Sequence, residues 1–247
     1  MRVVFLGTNG WYDTDTGNTI CTLVMSDTCH IIFDAGNGLN KIDHYCRKRK
    51  TAYLFLSHFH LDHIIGLHVL NKIKCFRKLH IFGPKGTKKI LSKFINNPFT
   101  MPIAQLSFPI ELNEIPGEQK KLPFSVGSKP LLHSSLTLGF RIELNGKIIS
   151  YCPDTGYCEN AVELSRNADL LIAECAYKSG QQSKKWPHLN PEMAARIAKE
   201  ADVKRLALVH FDAHIYKTLK ERKEAEGKAK KTFKNTFAAM DDMQVEV

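Results

Sequence analysis

The sequence has no hydrophobic run near the ~20 residues that a transmembrane helix needs, so we expect no membrane association. Residues 1–12 lack a long apolar core and a small-residue cleavage site, which argues against a signal peptide. The seven cysteines include no Cys-x-x-Cys pair, and this odd, scattered set predicts reduced thiols in the cytoplasm. No repeat or low-complexity linker divides the 247 residues, 43% of them apolar, so we predict one domain over residues 1–247.

Positive charge is in excess. The chain has 35 lysines and arginines against 25 aspartates and glutamates, a formal net charge of +10 with neutral histidines. Such a balance favours an anionic partner such as a phosphodiester, a nucleotide or RNA, although it can also serve solubility alone. The basic residues gather in the run Arg47-Lys48-Arg49-Lys50 and in residues 217–234, and such runs are mostly solvated helix faces. The charge therefore predicts a class of partner but no site.

Predicted strands and helices alternate along the chain, which is typical of an α/β protein. Asn145-Gly146 predicts a two-residue hairpin turn, and Pro191 stands in the first turn of a predicted helix. Prolines break residues 96–123 into short strands and loops. The predicted helices are 38–48, 85–95 and 191–200, with a charged helical tail; the predicted strands are 3–6, 20–25, 30–33, 53–56, 79–82, 130–133, 138–144, 147–151, 169–174, 205–209 and 244–247.

One short segment carries the strongest chemical signal. Residues 57–63 read S-H-F-H-L-D-H, which gives the spacing H-x-H-x-D-H to His58, His60, Asp62 and His63. The segment follows the apolar strand 53–56 and precedes a predicted helix, so it lies in a loop where a rigid scaffold can present side chains. Imidazole and carboxylate groups this close favour a divalent metal, and nitrogen ligands suit zinc best. Four solvated loop residues are the alternative, but this spacing rarely arises by accident.

Further ligands follow other predicted strands. His133, Asp154 and His210 each come directly after an apolar stretch. A single histidine or aspartate in such a place usually does not bind a metal. Three of them together with the H-x-H-x-D-H loop make metal binding the favoured interpretation. Five histidines and two aspartates can hold two metals with one carboxylate bridging. We therefore predict two divalent metal ions, zinc first, with manganese and iron as alternatives.

The chain resembles the metallo-β-lactamase superfamily, and within it the ribonuclease Z-like phosphodiesterases. The first family motif matches the H-x-H-x-D-H loop, the third-histidine region matches His133 with the Gly-Phe-Arg strand over residues 138–143, and the Tyr-Ser-Gly-Asp-Thr motif matches residues 151–155. The resemblance implies a four-layer αββα sandwich of two mixed sheets with outer helices. It also implies that one metal takes His58, His60 and His133, that the other takes Asp62, His63 and His210, and that Asp154 bridges them.

Two further matches concern proton transfer. The glutamate of the family's His-Glu-Ala-Thr motif matches Glu174, and the histidine of its His-Ser-Thr motif matches His188, although Ser-Thr is replaced here. The resemblance implies that a metal-bridged hydroxide attacks the substrate and that Asp62 can accept a proton from the water. His188, oriented by Glu174, could then protonate the leaving group. Asp34, which follows the strand 30–33, could cap the next helix or brace the metal loop.

The predicted substrate depends on one departure from the family. Enzymes of the ribonuclease Z type that process transfer RNA usually insert a long arm between the third histidine and the bridging aspartate, whereas Asp154 comes 21 residues after His133. We therefore expect a metal-dependent phosphodiesterase for a small phosphodiester or nucleotide. The alternatives are a transfer-RNA 3′-processing endonuclease without the arm, and a lactonase or thioester hydrolase, because Tyr157 has a lactonase-like spacing. A homodimer is left open.

Overall fold

Strands and helices alternate along the chain in the computed structural model, which describes residues 1–247 apart from the side chains of Lys120 and Lys121. The strands are β1 (Arg2–Gly7), β2 (Asn9–Gly10), β3 (Cys21–Met25), β4 (Cys29–Phe33), β5 (Lys50–Phe55), β6 (Phe76–Pro84), β7 (Ile110–Ile115), β8 (Ser125–Pro130), β9 (Leu138–Leu144), β10 (Lys147–Cys152), β11 (Leu170–Glu174), β12 (Leu206–Val209), β13 (Phe211–Asp212), β14 (Thr236–Ala238) and β15 (Gln244–Glu246). The helices are α1 (Ile42–Tyr45), α2 (Leu61–Ile64), α3 (Thr87–Phe94), α4 (Glu159–Ser165), α5 (Pro191–Glu200) and α6 (Leu219–Ala229), with 3₁₀ helices at Asn37–Lys41, Ile65–Lys72, Ile103–Gln105 and Glu118–Lys121.

The strands form two large mixed sheets. The seven-stranded sheet has the order β15-β1-β3-β4-β5-β6-β7, with β4 to β7 parallel and the remaining pairs antiparallel. The six-stranded sheet has the order β14-β12-β11-β10-β9-β8, in which β8, β9 and β10 pair antiparallel and β10, β11, β12 and β14 are parallel. Parallel neighbours need long crossover connections, and these connections carry most of the helices.

The two sheets pack face to face through an aromatic core. Phe33 and Phe55 of the seven-stranded sheet meet Phe140 and Tyr151 of the six-stranded sheet, and all four side chains are fully buried. The rings of Phe33 and Tyr151 stack with their centroids 4.8 Å apart. Burying one such side chain stabilises a fold by roughly 1.5–3 kcal/mol, so this layer is a major source of stability.

Helices cover the outer face of each sheet. A second hydrophobic core joins the seven-stranded sheet to helical residues that include Leu39, Leu67 and Leu91. A third core joins the six-stranded sheet to α4, α5 and α6. Neighbouring strand residues alternate between these layers, so Ile31 faces the inner core and Ile32 the helices. This arrangement confirms the predicted αββα sandwich.

Several predicted elements are found with the expected bounds. α5 spans the predicted residues, and Asn190 caps it by accepting a hydrogen bond from the backbone N–H of Met193. In the predicted hairpin turn, Asn145 and Gly146 have φ angles of 52° and 70°, as a type I′ turn requires. The final predicted strand is β15, which pairs antiparallel with β1. Capping, turn and strand signals in these places are local, which explains why the sequence reveals them.

Other predictions are wrong or incomplete. The predicted strand over residues 130–133 is a loop, because β8 ends at Pro130 and the backbone N–H of Leu131 donates to the carbonyl of Thr137 at 2.9 Å. The predicted helix over residues 38–48 is a 3₁₀ turn followed by α1. The helix stops there because Cys46 has φ −96° and ψ 79°, which are not helical, and its side chain packs in the core between the seven-stranded sheet and its helices. The short elements α4 and β14 are missing from the sequence predictions.

The structure bears on the cysteines and on membrane-spanning helices. The seven cysteines are free thiols. Within the residues that the structure describes, no helix combines the length and the apolar content needed to cross a bilayer. The single-domain organisation and the cytoplasmic location stay predictions.

Thr218 should stabilise α6 by capping it. Its side chain accepts a hydrogen bond from the backbone N–H of Glu221, and the side chain of Glu221 accepts one from the backbone of Thr218. We expect Thr218→Ala to lower the free energy of unfolding by about 1 kcal/mol, because a helix N–H loses its partner. Urea denaturation followed by circular dichroism measures this loss. Thr232→Ala, at an exposed threonine beyond the helix, should change it by less than about 0.5 kcal/mol, and equal losses would contradict the capping role.

Candidate metal centre

The candidate site lies where the carboxyl ends of parallel strands from both sheets meet. The H-x-H-x-D-H loop follows β5, and Asp34 follows β4. From the other sheet, Asp154 follows β10, Glu174 ends β11 and His210 follows β12. Loops after such strands converge at one edge, which is where ligand sites commonly form in α/β folds. The topology therefore gathers side chains that are far apart in the sequence.

The seven candidate ligands come together in two clusters. One cluster is His58, His60, His133 and Asp154, the other is Asp62, His63 and His210, and within each cluster the candidate ligand atoms lie within 4.8 Å of one another. Asp154 lies between the clusters. Its Oδ1 is 3.2 Å from His63 Nε2 and 3.1 Å from His210 Nε2, and its Oδ2 is 3.7 Å from His133 Nε2. The grouping is the one predicted for two metals with a bridging carboxylate, and the assignment of ligands stays a prediction.

The donor atoms suit a divalent cation. Nε2 of His58 is buried without a hydrogen-bond partner among the described residues, and such atoms usually have a partner. Burial lowers the pKa of His58 and brings that of His133 to about 4, so both imidazoles are neutral at neutral pH. Burial raises the pKa of Asp154, but the charges of His210 and His63 outweigh it and keep the pKa low. Neutral imidazoles beside an ionised carboxylate fit a zinc-like ion.

Asp34 supports the metal loop. Its fully buried carboxylate accepts hydrogen bonds from the Ser57 N–H at 2.7 Å and the Ser57 hydroxyl at 2.8 Å. It also accepts from the Tyr151 hydroxyl at 2.6 Å and from His63 Nδ1 at 2.8 Å. The bond to Nδ1 fixes the orientation of the His63 ring, whose Nε2 lies 3.2 Å from Oδ1 of Asp154 in the cluster. Of the two roles that the sequence allows for Asp34, the structure shows the brace.

The loop between β1 and β3 completes the second cluster. The backbone N–H of Trp11 donates to Oδ2 of Asp62 at 2.7 Å, which fixes that oxygen. Gly10 packs on the imidazole of His210, and a Cβ at this glycine would lie 2.5 Å from the ring. Any larger residue at position 10 would therefore displace the imidazole or the loop.

Arg222 anchors this loop from the other end of the chain. Its side chain on α6 is 1% exposed and donates to the Thr8 hydroxyl at 2.9 Å and to the side chain of Asn9. Burial lowers the pKa of Arg222 to about 10, so the guanidinium stays charged at neutral pH. Sequence reasoning missed Arg222 because it lies in a highly charged helix, where nothing marks one arginine as buried. The one local sign of this contact is the loop sequence Gly7-Thr8-Asn9-Gly10, because glycines let another part of the chain approach the backbone closely.

A buried histidine–glutamate pair lies beside the clusters. His188 Nδ1 donates to Glu174 Oε1 at 2.7 Å, and the same oxygen accepts the backbone N–H of Thr155 at 2.6 Å. Burial lowers the pKa of His188, but the charge and the hydrogen bond of Glu174 outweigh it and raise the pKa to about 9. The ring centroids of His188 and His133 are 5.2 Å apart. The pair selected from the sequence is therefore protonated and adjacent to the candidate ligands.

His188 and five of the candidate ligands line one cavity of about 420 Å³; the five are His60, Asp62, His133, Asp154 and His210. Besides members of both clusters, its wall includes the exposed hydrophobic side chains of Trp11, Leu61 and Trp186. The chain has two tryptophans, so both lie here. Tyr157, the residue with lactonase-like spacing, directs its hydroxyl to Glu200 on α5, so its position gives the lactonase alternative no support.

The fold and the histidine–aspartate site define a class of protein. The family model of the beta-lactamase superfamily domain matches residues 30–211, well over half of the chain. The chain therefore belongs to the β-lactamase superfamily, as the motifs predict. The metallo-β-lactamase fold protein YhfI from Bacillus subtilis has the same fold, with a TM-score of 0.82 at 24% identity, over 100% of this chain and 99% of that one.

Relatives narrow the class further. Ribonuclease Z from Thermoplasma acidophilum is 28% identical over 303 positions, which cover 100% of this chain and 96% of the relative. Ribonuclease Z from Enterococcus faecalis is 27% identical, with 100% and 97% covered. The short form of human tRNase Z has a TM-score of 0.76 at 23% identity, over 100% of this chain and 99% of that structure. The predicted ribonuclease Z-like subgroup of metal-dependent hydrolases is thus confirmed.

Asp34 should be needed for tight metal binding. We expect Asp34→Asn to weaken divalent metal binding about 10–100-fold, because an amide accepts fewer hydrogen bonds and no longer fixes the orientation of His63. Competition with a chelating dye measures the affinity. Asp27→Asn, at an exposed aspartate, is the matched control and should bind metal normally. Unchanged affinity in a folded Asp34→Asn protein would show that the brace is dispensable.

Proposed function

We propose that this protein is a phosphodiesterase that uses two divalent cations, zinc being the best match to the donors, to cleave RNA as in transfer-RNA 3′ processing. The observation that carries the proposal is the buried, hydrogen-bonded His188–Glu174 pair beside two clusters that could each hold a cation. Bound cations would lower the pKa of a water and neutralise charge that develops on the phosphate. A phosphodiester with an alkoxide leaving group also needs a proton donor, whereas many carbonyl substrates depend on one less.

Asp62 and His188 would divide the proton transfers. Burial raises the pKa of Asp62, but the charges of His63 and His210 outweigh it, so the carboxylate is ionised and can accept a proton from water. The Trp11 N–H holds one oxygen of that carboxylate in place. His188 donates its Nδ1 proton to Glu174, and its second proton, on Nε2, is available to the leaving oxygen.

The relatives favour RNA over the small phosphodiester ranked first from the sequence. Both relatives described above are named ribonuclease Z, and the human structure is a tRNase Z. Their alignments cover this chain from end to end, including the segments that contain Glu174 and His188. Transfer-RNA 3′ processing, the alternative in the sequence analysis, is therefore the better supported substrate assignment.

A small phosphodiester or nucleotide remains the second candidate because of what this chain lacks. The alignment with the Thermoplasma acidophilum enzyme has 303 positions and this chain has 247 residues, so about 56 positions (303 − 247) have no counterpart here. Between His133 and Asp154 the hairpin of β9 and β10 occupies most of the interval. An enzyme without a substrate-binding arm would depend on its cavity and the surrounding surface.

Two tryptophans support a base-containing substrate for either candidate. Trp11 is 59% exposed and Trp186 is 44% exposed, and both line the cavity. Lys184 and Lys185 immediately precede Trp186 and are exposed. Exposed aromatic rings next to basic side chains bind single-stranded nucleic acid, because bases stack on the rings and phosphates are attracted by the charges. This combination favours an oligonucleotide or nucleotide over a phosphodiester without a base.

The leaving group separates phosphodiester chemistry from other hydrolysis. We expect His188→Ala to slow cleavage of an RNA substrate about 10²–10⁴-fold, because its alkoxide leaves poorly without a proton. A p-nitrophenyl phosphodiester should lose much less, since p-nitrophenolate leaves unaided. Steady-state kinetics with both substrates, together with metal analysis, tests this expectation.

His68→Ala is the matched control for this experiment, because His68 is an exposed histidine on the 3₁₀ helix after α2. It should leave both rates unchanged. Glu174→Gln should show a weaker version of the His188→Ala pattern, since Glu174 acts through the imidazole. If both substrates slow equally in His188→Ala while metal content is retained, the proton-donor role is refuted and with it the main support for the proposal.

The tryptophans should select for a nucleobase. We expect Trp186→Ala or Trp11→Ala to lower kcat/KM for thymidine 5′-(p-nitrophenyl phosphate) about 5–100-fold, the range of base stacking. Ethyl p-nitrophenyl phosphate has the same leaving group and no base, so it should be affected much less. Tyr12→Ala, at a neighbouring exposed aromatic residue, should change neither value. Equal effects on the two esters would argue against a stacking role.

A further inference from the structure

A second cavity lies near the amino ends of strands β4 and β5, whose carboxyl ends lead to the candidate metal centre. It has a volume of about 560 Å³ and is lined by residues from the start of β1, β4, β5 and β15 and from the turn after α1. The metal loop follows the other end of β5, six strand residues away, which is about 20 Å at ~3.3 Å per residue. The cavity is therefore separate from the candidate metal centre, and one phosphate group cannot occupy both.

The wall of this cavity is strongly basic. Six of its lining residues are basic, namely Arg2, His30, His44, Arg47, Lys48 and Lys50. Three of them, Arg47, Lys48 and Lys50, belong to the basic run to which the sequence alone assigns no site. No aspartate or glutamate appears in the lining, as far as the described side chains extend. Uncompensated charge in a concave surface concentrates anions there.

The basic groups are not neutralised by nearby acids. Among the side chains that the structure describes, none of these six residues forms an ion pair; Lys50 donates instead to the carbonyl of Ser26 at 2.7 Å. Several acids near these residues in the chain have other partners, and Glu246 pairs with the amino terminus at 3.6 Å. Asp43 accepts the backbone N–H of Cys75 at 3.0 Å, and Asp242 pairs with Lys41 at 3.2 Å. The cavity thus keeps its positive charge.

His30 is the second, independent sign of a ligand. It lines the cavity but is 1% exposed, and both of its ring nitrogens lack a hydrogen-bond partner in the described structure. The thiol of Cys46 lies beside His30, and the thiol of Cys75 first and His30 in addition lower the pKa of Cys46. One thiol cannot satisfy both imidazole nitrogens. A buried imidazole without partners is costly, and an anion in the cavity would supply an acceptor.

We propose that this cavity binds a phosphate-bearing anion. The guanidinium groups of Arg2 and Arg47 suit bidentate contacts with phosphate oxygens, Lys48 and Lys50 add charge, and His30 contributes an N–H. The phosphate could belong to a free small molecule or to the backbone of an RNA that extends beyond the metal centre. The shared recognition chemistry is the phosphate group, and substrate length distinguishes the two sources.

Inorganic phosphate is the probe, and histidine side-chain NMR is the measurement. In the metal-loaded protein we expect a saturable shift of the His30 ring signals on titration with phosphate at physiological ionic strength. Arg47→Ala combined with Lys48→Ala should weaken this binding about tenfold or more, because charge-assisted contacts are lost. Both residues are exposed, so the fold should tolerate the change. Lys89→Ala with Lys93→Ala removes the same charge from exposed positions on α3 and should leave binding nearly unchanged.

Kinetics then identifies the source of the phosphate. If the Arg47/Lys48 double variant raises KM for a long single-stranded RNA but not for a dinucleotide, the cavity binds RNA backbone. If it changes neither KM while phosphate binding is lost, the cavity binds a free anion. No saturable shift of His30, or equal weakening in the Lys89/Lys93 control, would overturn the proposal. Because phosphate binding needs no turnover, this result is independent of the proposed hydrolytic function.

Discussion

A single buried carboxylate connects the parts on which the candidate site depends. Asp34 lies at the end of β4 and accepts hydrogen bonds from Ser57 and His63 of the metal loop and from Tyr151 of the opposite sheet. A buried carboxylate is tolerated only when its oxygens are satisfied, so these donors must stay in register with it. The relative position of the two sheets and the orientation of the metal loop are therefore fixed by the same group. A change in the packing of the inner core would reach the site through Asp34.

The charges of the site residues depend on their burial and on their charged neighbours. His58 and His133 are held neutral by burial, whereas Asp154 is kept ionised by the charges of His210 and His63 beside it. Such a set is poorly satisfied by itself, since Nε2 of His58 lacks a hydrogen-bond partner among the described residues. A cation would satisfy both kinds of group at once. Ligands that bind only the folded chain stabilise it by mass action, so occupancy of the site would add to the stability of the whole sandwich.

The sequence predicts those parts of the site whose signals are local. The spacing of His58, His60, Asp62 and His63 is visible in seven residues, and Asp154 and His210 follow strands that apolar runs reveal. His133 lies with the other candidate ligands although its predicted strand is wrong, because the resemblance concerned the histidine and its neighbouring Gly-Phe-Arg strand. The four-layer fold was accessible in the same way, through a family resemblance, since alternation of elements alone indicates only an α/β class.

What the sequence could not reveal are contacts between distant segments. The bond from Tyr151 to Asp34 spans 117 positions, and the bond from Trp11 to Asp62 spans 51. Neither hydrogen bond is indicated by a periodic pattern or a motif in the sequence, because each depends on how distant segments pack in the folded chain. The sequence pattern of the basic run Arg47-Lys48-Arg49-Lys50 predicts a solvated surface. Only the fold shows that part of this run lines the same cavity as the buried His30.

The anchoring of the first loop by Arg222 has a consequence for the order in which the protein matures. The H-x-H-x-D-H loop is synthesised early, but the segment that holds Asp62 in place is secured by Arg222 and by Asp241, which accepts the Thr8 hydroxyl at 2.7 Å. Both lie far after the H-x-H-x-D-H loop in the sequence, so they are synthesised later than the loop. A nascent chain therefore contains most of the candidate ligands long before it can hold them in the arrangement seen here.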